Sequence, residues 1–146
     1  MKMRSWRIHI VAVLIVGAAM PSATHAAPGS CWAGPTVTDW LGRKHQTRVC
    51  PTWTGTNLLD IPQEGTTKVG YLNAGNNWVV CQSYGGANPQ LGGNRNHWWL
   101  YTQADTVSGY PERKGWGWLP ATAVSYGGDE EPIPDVPACP PPFAPW

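Results

Sequence analysis

The acidic and histidine side chains are the groups that could carry catalysis, and their spacing does not favour it. Glycoside cleavage needs two carboxyl groups that converge on one bond. Outside the C-terminal tail the acids are scattered through presumed loops, at Asp39, Asp60, Glu64, Asp105 and Glu112. No carboxylate or cysteine stands at metal-ligand spacing from His45 or His97. We therefore expect no enzymatic activity, no metal site and no cofactor.

The four cysteines, Cys31, Cys50, Cys81 and Cys139, are spaced for disulfides rather than for a metal. The chain has no C-x-x-C pair, and an even cysteine count in a small exported protein is typical of a disulfide framework. Three pairings are possible. We favour Cys31 with Cys50, which would close an N-terminal hairpin, and Cys81 with Cys139, which would tie the tail to a central strand. Each bond would add roughly 3 kcal/mol of stability.

The tryptophans are the side chains best suited to recognising a ligand, because aromatic rings offer flat faces to sugars and prolines. On one predicted strand, alternation sends Trp98 to one face and Trp99 to the other, and we expect only one face to be core. One of the two rings should therefore be exposed or lie in a groove. Trp53 and Trp116, in presumed loops, are further surface candidates, whereas Trp118 is expected to be buried.

The N-terminus has the pattern of a secretory signal peptide, which we assign to residues 1–26. Basic residues precede an apolar run from Ile8 to Met20, and a stretch of small residues ends at Ala26 or Ala27. This run is shorter than the roughly 20 residues that a membrane-spanning helix needs. We expect a secreted, extracellular protein, soluble or associated with the cell wall, and no stable membrane insertion.

The charge of the remaining chain disfavours a nucleic-acid partner. Three of the ten basic residues leave with the signal peptide, so seven basic residues face nine acidic ones. About 120 residues remain, which is enough for one compact domain, and we expect a monomer.

Strands fit this sequence better than helices, because glycine and proline recur every few residues. Five short strands are predicted, at residues 47–50, 67–72, 77–82, 97–103 and 115–119. The longest connection is the polar loop 83–96, and loops of this length are often functional or mobile. Five short strands of this kind predict a small all-β barrel or sandwich.

The C-terminal segment 127–146 is a proline-rich, acidic tail, for which polyproline II or disorder is expected. A bond between Cys81 and Cys139 would instead hold its first part along the domain. Because residues 132–137 have P-x-x-P spacing, one hypothesis is that the tail occupies an aromatic groove of its own domain. The other is a disordered or wall-spanning spacer.

From residue 46 to about residue 126 the strands resemble the bacterial Src-homology-3-like domain, in particular its secreted actinobacterial members. Five motifs occur in the family's order: Arg48-Val49-Cys50-Pro51, Val69-Gly70-Tyr71-Leu72, Trp78-Val79-Val80-Cys81, His97-Trp98-Trp99 and Gly117-Trp118-Leu119-Pro120. The resemblance implies a small five-stranded barrel with long loops. Two disulfides would staple this barrel, an N-terminal extension or hairpin at residues 27–45 would precede it, and the tail would follow it.

The same resemblance implies a non-catalytic function. Eukaryotic relatives bind proline-rich peptides in an aromatic groove, at positions matched here by Trp98 and Pro120, and bacterial members are discussed as binders of peptidoglycan peptides. We therefore expect a secreted module that binds cell-wall peptide or glycan. The candidate ligand-binding residues are Trp98, Trp99, Pro120, Trp53 and Trp116. The alternative is a structural or interaction protein, a partner or inhibitor, that contacts another secreted protein through the 83–96 loop.

Overall fold

A computed structural model describes residues 31–141 and residue 143, so the predicted signal peptide lies outside the described residues. The described chain is built almost entirely of β-strands. They are β1 (Trp32–Thr38), β2 (Lys44–Thr52), β3 (Thr56–Leu59), β4 (Lys68–Leu72), β5 (Gly75–Val79), β6 (Gln82–Tyr84), β7 (Trp98–Gln103), β8 (Thr106–Val107) and β9 (Trp116–Pro120). Two short 3-10 turns cover Pro111–Arg113 and Ala121–Ala123. Within these residues no helix has the length and apolar character needed to cross a membrane.

The strands form two antiparallel sheets, of order β1-β2-β5 and β6-β7-β9-β3-β4-β8. The all-β prediction is confirmed. The strand count of five is too low, and in the described part of the chain both sheets are open, with no closed barrel. The predicted strand 77–82 divides into β5 and β6, because the chain leaves the first sheet at Val80 and joins the second. There Val80 N donates to Tyr101 O over 2.8 Å.

Strand β1 was not predicted as a strand, because Gly34 and Pro35 interrupt it. The structure accommodates them at the outer edge of the smaller sheet, where a register shift between Ala33 and Thr36 leaves the proline outside the regular ladder. Edge strands tolerate proline because their outer N–H groups need no partner strand. The hairpin of β1 and β2 contains residues 32–45 of the predicted N-terminal extension, and β2 continues across the predicted boundary at residue 46.

The central strands β7 and β9 of the six-stranded sheet are buried on both faces. Leu100 of β7 belongs to one apolar cluster, with Leu58, Val69 and Leu119 from neighbouring strands. Trp99, the preceding residue, belongs to a second cluster. The expectation that only one face of this strand is core is therefore wrong.

The second cluster is covered by segments outside the sheet. Val37 and Trp40 reach it from the β1–β2 hairpin, and Cys139 and Phe143 reach it from the tail. Trp99, Tyr101, Trp116 and Trp118 form its centre. The domain therefore has a core on each side of one sheet, and the hairpin and the tail make the second core possible.

Two disulfides join Cys31 to Cys50 and Cys81 to Cys139, which is the pairing favoured from the sequence. The second bond fixes the tail against β6, where Gln82 and Ala138 form a parallel bridge. The tail up to Cys139 therefore lies along the domain, as expected for a Cys81–Cys139 bond, and it is not disordered.

The tail docks through its aliphatic residues rather than through its prolines. Ile133 and Val136 are buried in the first cluster, whereas Pro132, Pro134 and Pro137 are exposed. The P-x-x-P spacing consequently does not describe how this segment is held. Apolar burial of two side chains supplies the contact area.

The buried amide of Gln82 holds the docked tail. Its Nε2 donates to the carbonyl oxygens of Ile133 and Val136 over 2.9 and 2.7 Å, and its Oε1 accepts from the Ile133 N–H over 2.8 Å. Its backbone accepts from Cys139 N and donates to Pro137 O, each over 2.9 Å. A buried polar group with all these partners orders the segment, because any displacement would leave them unpaired.

A buried carboxylate organises the β1–β2 turn. The Asp39 side chain is 0 % exposed and accepts hydrogen bonds from Arg43 Nε over 2.7 Å and from His45 Nε2 over 2.9 Å. Burial alone would raise the pKa of Asp39, but the hydrogen bonds from His45 and Arg43 outweigh it and lower the pKa below its ordinary value. Burial, together with the nearby charge of Asp39, raises the pKa of Tyr101 well above its usual range.

This carboxylate should make stability depend on acidity. Because its folded pKa lies below its unfolded pKa, the ionised form contributes stability that is fully present above about pH 4 and is lost as pH falls towards the folded pKa. We expect Asp39→Asn to lower the free energy of unfolding by about 2 kcal/mol at neutral pH. The variant should also lack the loss of stability that accompanies protonation of Asp39. Thermal unfolding between about pH 2 and pH 7 measures both effects, with Asp60→Asn as the more exposed control. Parallel curves for Asp39→Asn and the natural protein would contradict the assignment.

Candidate functional site

Four of the aromatic and proline residues singled out by the sequence are buried. Trp99 and Trp118 are 0 % exposed and Trp116 is 2 % exposed, and Pro120 is also buried. Trp99 Nε1 donates to Gly86 O over 2.7 Å, which fixes its ring beneath the 83–96 loop. The rings of Trp99, Trp116 and Trp118 belong to the second core cluster, so Trp99 and Trp116 present no ring face to a ligand.

Trp116 lies in a strand, in agreement with the predicted strand 115–119, and its expected place in a surface loop is wrong. It is the first residue of β9, a central strand of the larger sheet. Its ring packs between Trp78 and Tyr101, with centroid distances of 5.2 and 5.1 Å. Trp118 is buried, as expected.

Trp98 is half-buried, so alternation correctly separates it from Trp99. It packs against the first core cluster, to which the tail contributes Ile133 and Val136. Tyr84 of the neighbouring strand meets it edge-on, at a centroid distance of 5.6 Å. The face that Trp98 offers is therefore largely occupied by the protein itself.

Beside Trp98 lies an exposed pair, which we call the Tyr84 patch and define as Tyr84 and His97. Tyr84 is 64 % exposed and stacks on the His97 ring at 5.4 Å. His97 Nδ1 donates to Glu130 Oε2 over 2.6 Å, which links the patch to the tail.

The concave site that contains an exposed tryptophan lies at Trp53. The ring is 46 % exposed, and its Nε1 donates to Thr122 O over 2.9 Å. It stands at a cleft of about 340 Å³ lined by residues from the 92–96 and 121–129 segments, which we call the Trp53 cleft. Gly92 approaches the ring so closely that an added Cβ would lie 2.9 Å from it, and its φ of +60° also favours glycine.

Two buried asparagines hold the loop side of the cleft. Asn88 Nδ2 donates to Trp98 O over 3.1 Å, and Asn88 Oδ1 accepts from Thr122 N over 3.2 Å. Asn96 Oδ1 accepts from the N–H groups of His97 and Trp98, over 2.8 and 2.9 Å. Sequence reasoning missed both residues. One signal was available: the backbone N–H and C=O groups of a long loop that lies on a domain need hydrogen-bond partners, and asparagine side chains can supply them.

The start of the tail forms the opposite wall. Arg95 N donates to Asp129 Oδ1 over 3.0 Å, and Glu130 N donates to Arg95 O over 3.0 Å. Asn96 Nδ2 donates to Glu131 O over 2.9 Å. The loop, the tail and the 3-10 turn after β9 are thus joined into one walled site, and the Cys81–Cys139 bond secures the tail that completes it.

The cleft combines an aromatic surface with unused polar groups. Within residues 31–141 and residue 143, the side chains of Asn94, Arg95, Ser125 and Tyr126 make no hydrogen bond. The lining includes one cation, Arg95, and one anion, Asp129, so its formal charge is balanced. Such a site suits a small, polar, uncharged ligand with an apolar face.

A second depression, of about 500 Å³, lies above Trp99 and Pro120. Leu91 lines it and is followed in sequence by Gly92 of the Trp53 cleft. Trp98 is not among its lining residues, so the structure does not unite all five predicted residues in one groove.

No known protein-family model matches the chain, and no curated protein or solved structure is significantly similar to it. The candidate site therefore rests on the chain's own residues and geometry.

Proposed function

We propose that this chain is a secreted, non-catalytic module that binds peptidoglycan through the Trp53 cleft. The observation that carries the proposal is the Trp53 ring, which is 46 % exposed yet held by its Nε1 bond to Thr122 O. An exposed ring that is already ordered loses little conformational entropy on binding. Of the five residues expected in the groove, the proposed site therefore keeps Trp53 alone, because the other four do not line the cleft.

Export of the protein is part of the proposal. The N-terminal residues have the pattern of a signal peptide. Both disulfides are of the kind that persists outside the cytoplasm. The mature protein would act as a monomer at or near the cell wall.

We further propose that the chain is a divergent Src-homology-3-like domain. The five motifs lie on or next to β2, β4, β5, β7 and β9 in that order, and a short turn at Ala121–Ala123 follows the Gly-Trp motif of β9. An isolated bridge between Thr52 and Val124 brings the end of this region back to β2. These features support the likeness.

Retention on peptidoglycan tests the proposal. The oxidised protein should sediment with purified peptidoglycan, and Trp53→Ala should weaken retention about tenfold or more, as truncation of an aromatic binding residue commonly does. Trp32→Ala is the matched control, because Trp32 is similarly exposed but lies on the edge strand β1. Near-equal retention of Trp53→Ala and the natural protein would contradict this site.

The alternative is a protein partner that contacts the 83–96 loop, and the Tyr84 patch is the observation in its favour. Among the residues that the structure describes, Tyr84 is the most exposed large hydrophobic residue, and it lies where the loop begins. In that case Tyr84→Ala, and not Trp53→Ala, would abolish partner capture, and peptidoglycan would not retain the protein.

A further inference from the structure

The hydrogen-bonding groups, the charge and the aromatic surface of the Trp53 cleft indicate which part of peptidoglycan it would bind. The polymer offers two chemically different ligands, a strand of N-acetylated sugars and short stem peptides with free charged groups. The choice between the glycan strand and the stem peptides rests on the proposed function.

Three backbone N–H groups next to Trp53 are already paired. Trp53 N donates to Ala123 O over 3.1 Å, Val124 N to Ala121 O over 3.0 Å, and Ser125 N to Pro51 O over 2.8 Å. Extended peptides are commonly recognised by main-chain hydrogen bonds to an open strand edge. These three N–H groups are therefore not available to a peptide strand that would pair beside Trp53.

The unused groups of the cleft are side chains instead. Asn94 offers an amide, Arg95 a guanidinium, and Ser125 and Tyr126 hydroxyls, and in the described chain none of these four side chains makes a hydrogen bond. Amide and hydroxyl groups both donate and accept, so they match the hydroxyl and acetamido groups around a sugar ring.

The charge of the cleft also separates the two ligands. A stem peptide brings unpaired carboxylate or amino groups, which bind best where the site has a net opposite charge. Arg95 and Asp129 balance each other, and Asp129 is further engaged by the Arg95 backbone N–H over 3.0 Å. A neutral sugar ring brings no charged group that would have to be removed from water without an opposite charge to pair with it.

The aromatic surface supplies the remaining complementarity. One side of a sugar ring presents C–H groups, and an indole ring presents a flat apolar face with a negative quadrupole. Trp53 is fixed at its Nε1 end by Thr122 O and bounded at its other end by Gly92, so its orientation is set before the ligand arrives.

We infer that the Trp53 cleft binds a sugar unit of the peptidoglycan glycan strand, with its ring against Trp53 and its polar rim towards Asn94 and Arg95. The cleft volume of about 340 Å³ lies at the lower end of the range for small-ligand sites. Stem peptides would lie outside it.

The experiment is a tryptophan-fluorescence titration of the full oxidised protein with two probes, a neutral tetrasaccharide of N-acetylglucosamine and a free stem peptide. We expect the tetrasaccharide to bind and to release the protein from peptidoglycan, and the peptide to do neither. Trp53→Ala should weaken tetrasaccharide binding about tenfold and Arg95→Ala about threefold, while Lys114→Ala should leave it unchanged. Trp53→Phe, which keeps a ring, should retain part of the affinity.

The outcomes separate this inference from the proposed function. Binding of the stem peptide without the tetrasaccharide, with Trp53-dependent retention on peptidoglycan intact, would overturn the sugar assignment alone. Tetrasaccharide binding that is indifferent to both Trp53 variants would overturn the site. Failure of intact peptidoglycan to retain the natural protein would overturn the proposed function itself.

Discussion

Replacing Cys81 and Cys139 together with alanine should lower the free energy of unfolding by about 4 kcal/mol. The bond closes a loop with a sequence separation of 58, and the entropy that a cross-link removes from the unfolded chain grows with loop length. A loss of this size is a large share of the total stability of a domain of about 120 residues. The tail should also detach more readily, because Ile133, Val136 and the Gln82 hydrogen bonds would then hold it alone.

The other disulfide provides the matched control. Cys31 and Cys50 are separated by 19 residues, so their replacement should cost about 3 kcal/mol and leave the tail docked. Urea unfolding measures both losses, and retention on peptidoglycan distinguishes the two variants. Because the tail forms one wall of the Trp53 cleft, only the Cys81 and Cys139 variant should bind more weakly below its unfolding transition. Equal retention of both variants would contradict this role of the tail.

Trp99→Ala should destabilise the protein by about 3 to 5 kcal/mol, the range for removing a large aromatic side chain from a core. Its ring is 0 % exposed, and the substitution also removes the donor to Gly86 O. Trp98→Ala should cost less, because Trp98 is only half-buried. Trp99→Phe, which keeps most of the ring volume, should recover part of the loss.

Denaturant unfolding of these variants tests whether Trp99 is buried more deeply than Trp98. We expect the two neighbouring alanine substitutions to differ clearly, with the denaturant midpoint of unfolding for Trp99→Ala well below that for Trp98→Ala. Equal losses would mean that the two faces of β7 are similarly buried. A larger loss at Trp98 would mean that the face assigned to the tail is the dominant core.

The elements that could be predicted share one property, a local signal. Alternating Val, Trp and Tyr predicted β2, β4, β7 and β9, and cysteine placement along the chain predicted the disulfide pairing. Strand β1 carries a Gly-Pro pair that argues against a strand, and only its position at a sheet edge makes that pair tolerable.

The burial of particular tryptophans could not be predicted, because it depends on segments that are distant in sequence and cover them in the fold. Alternation separates Trp98 from Trp99 but does not say that the hairpin and the tail cover the second face of the sheet. Trp116 has flanking glycines, Gly115 and Gly117, that suggested a loop, yet pairing with Gln103 places it in β9.

The cleft itself could be predicted only in part. Trp53 was among the candidates, whereas the groups that position it were not, because Thr122, Asn88 and Asn96 lie far from it in sequence. Polar residues in a glycine-rich loop usually indicate solvent exposure, and these asparagines are buried because the loop must bond its own backbone to β7 and to the tail.

The most direct test of the Trp53 cleft is a heteronuclear NMR titration of the oxidised protein with soluble peptidoglycan fragments. The account predicts shifts of the Trp53 indole N–H and of the Gly92 and Arg95 amides, while the signals of Trp32 and Tyr84 stay in place. Shifts centred on Tyr84 and His97, or an unchanged Trp53 indole signal with fragments in excess, would contradict it.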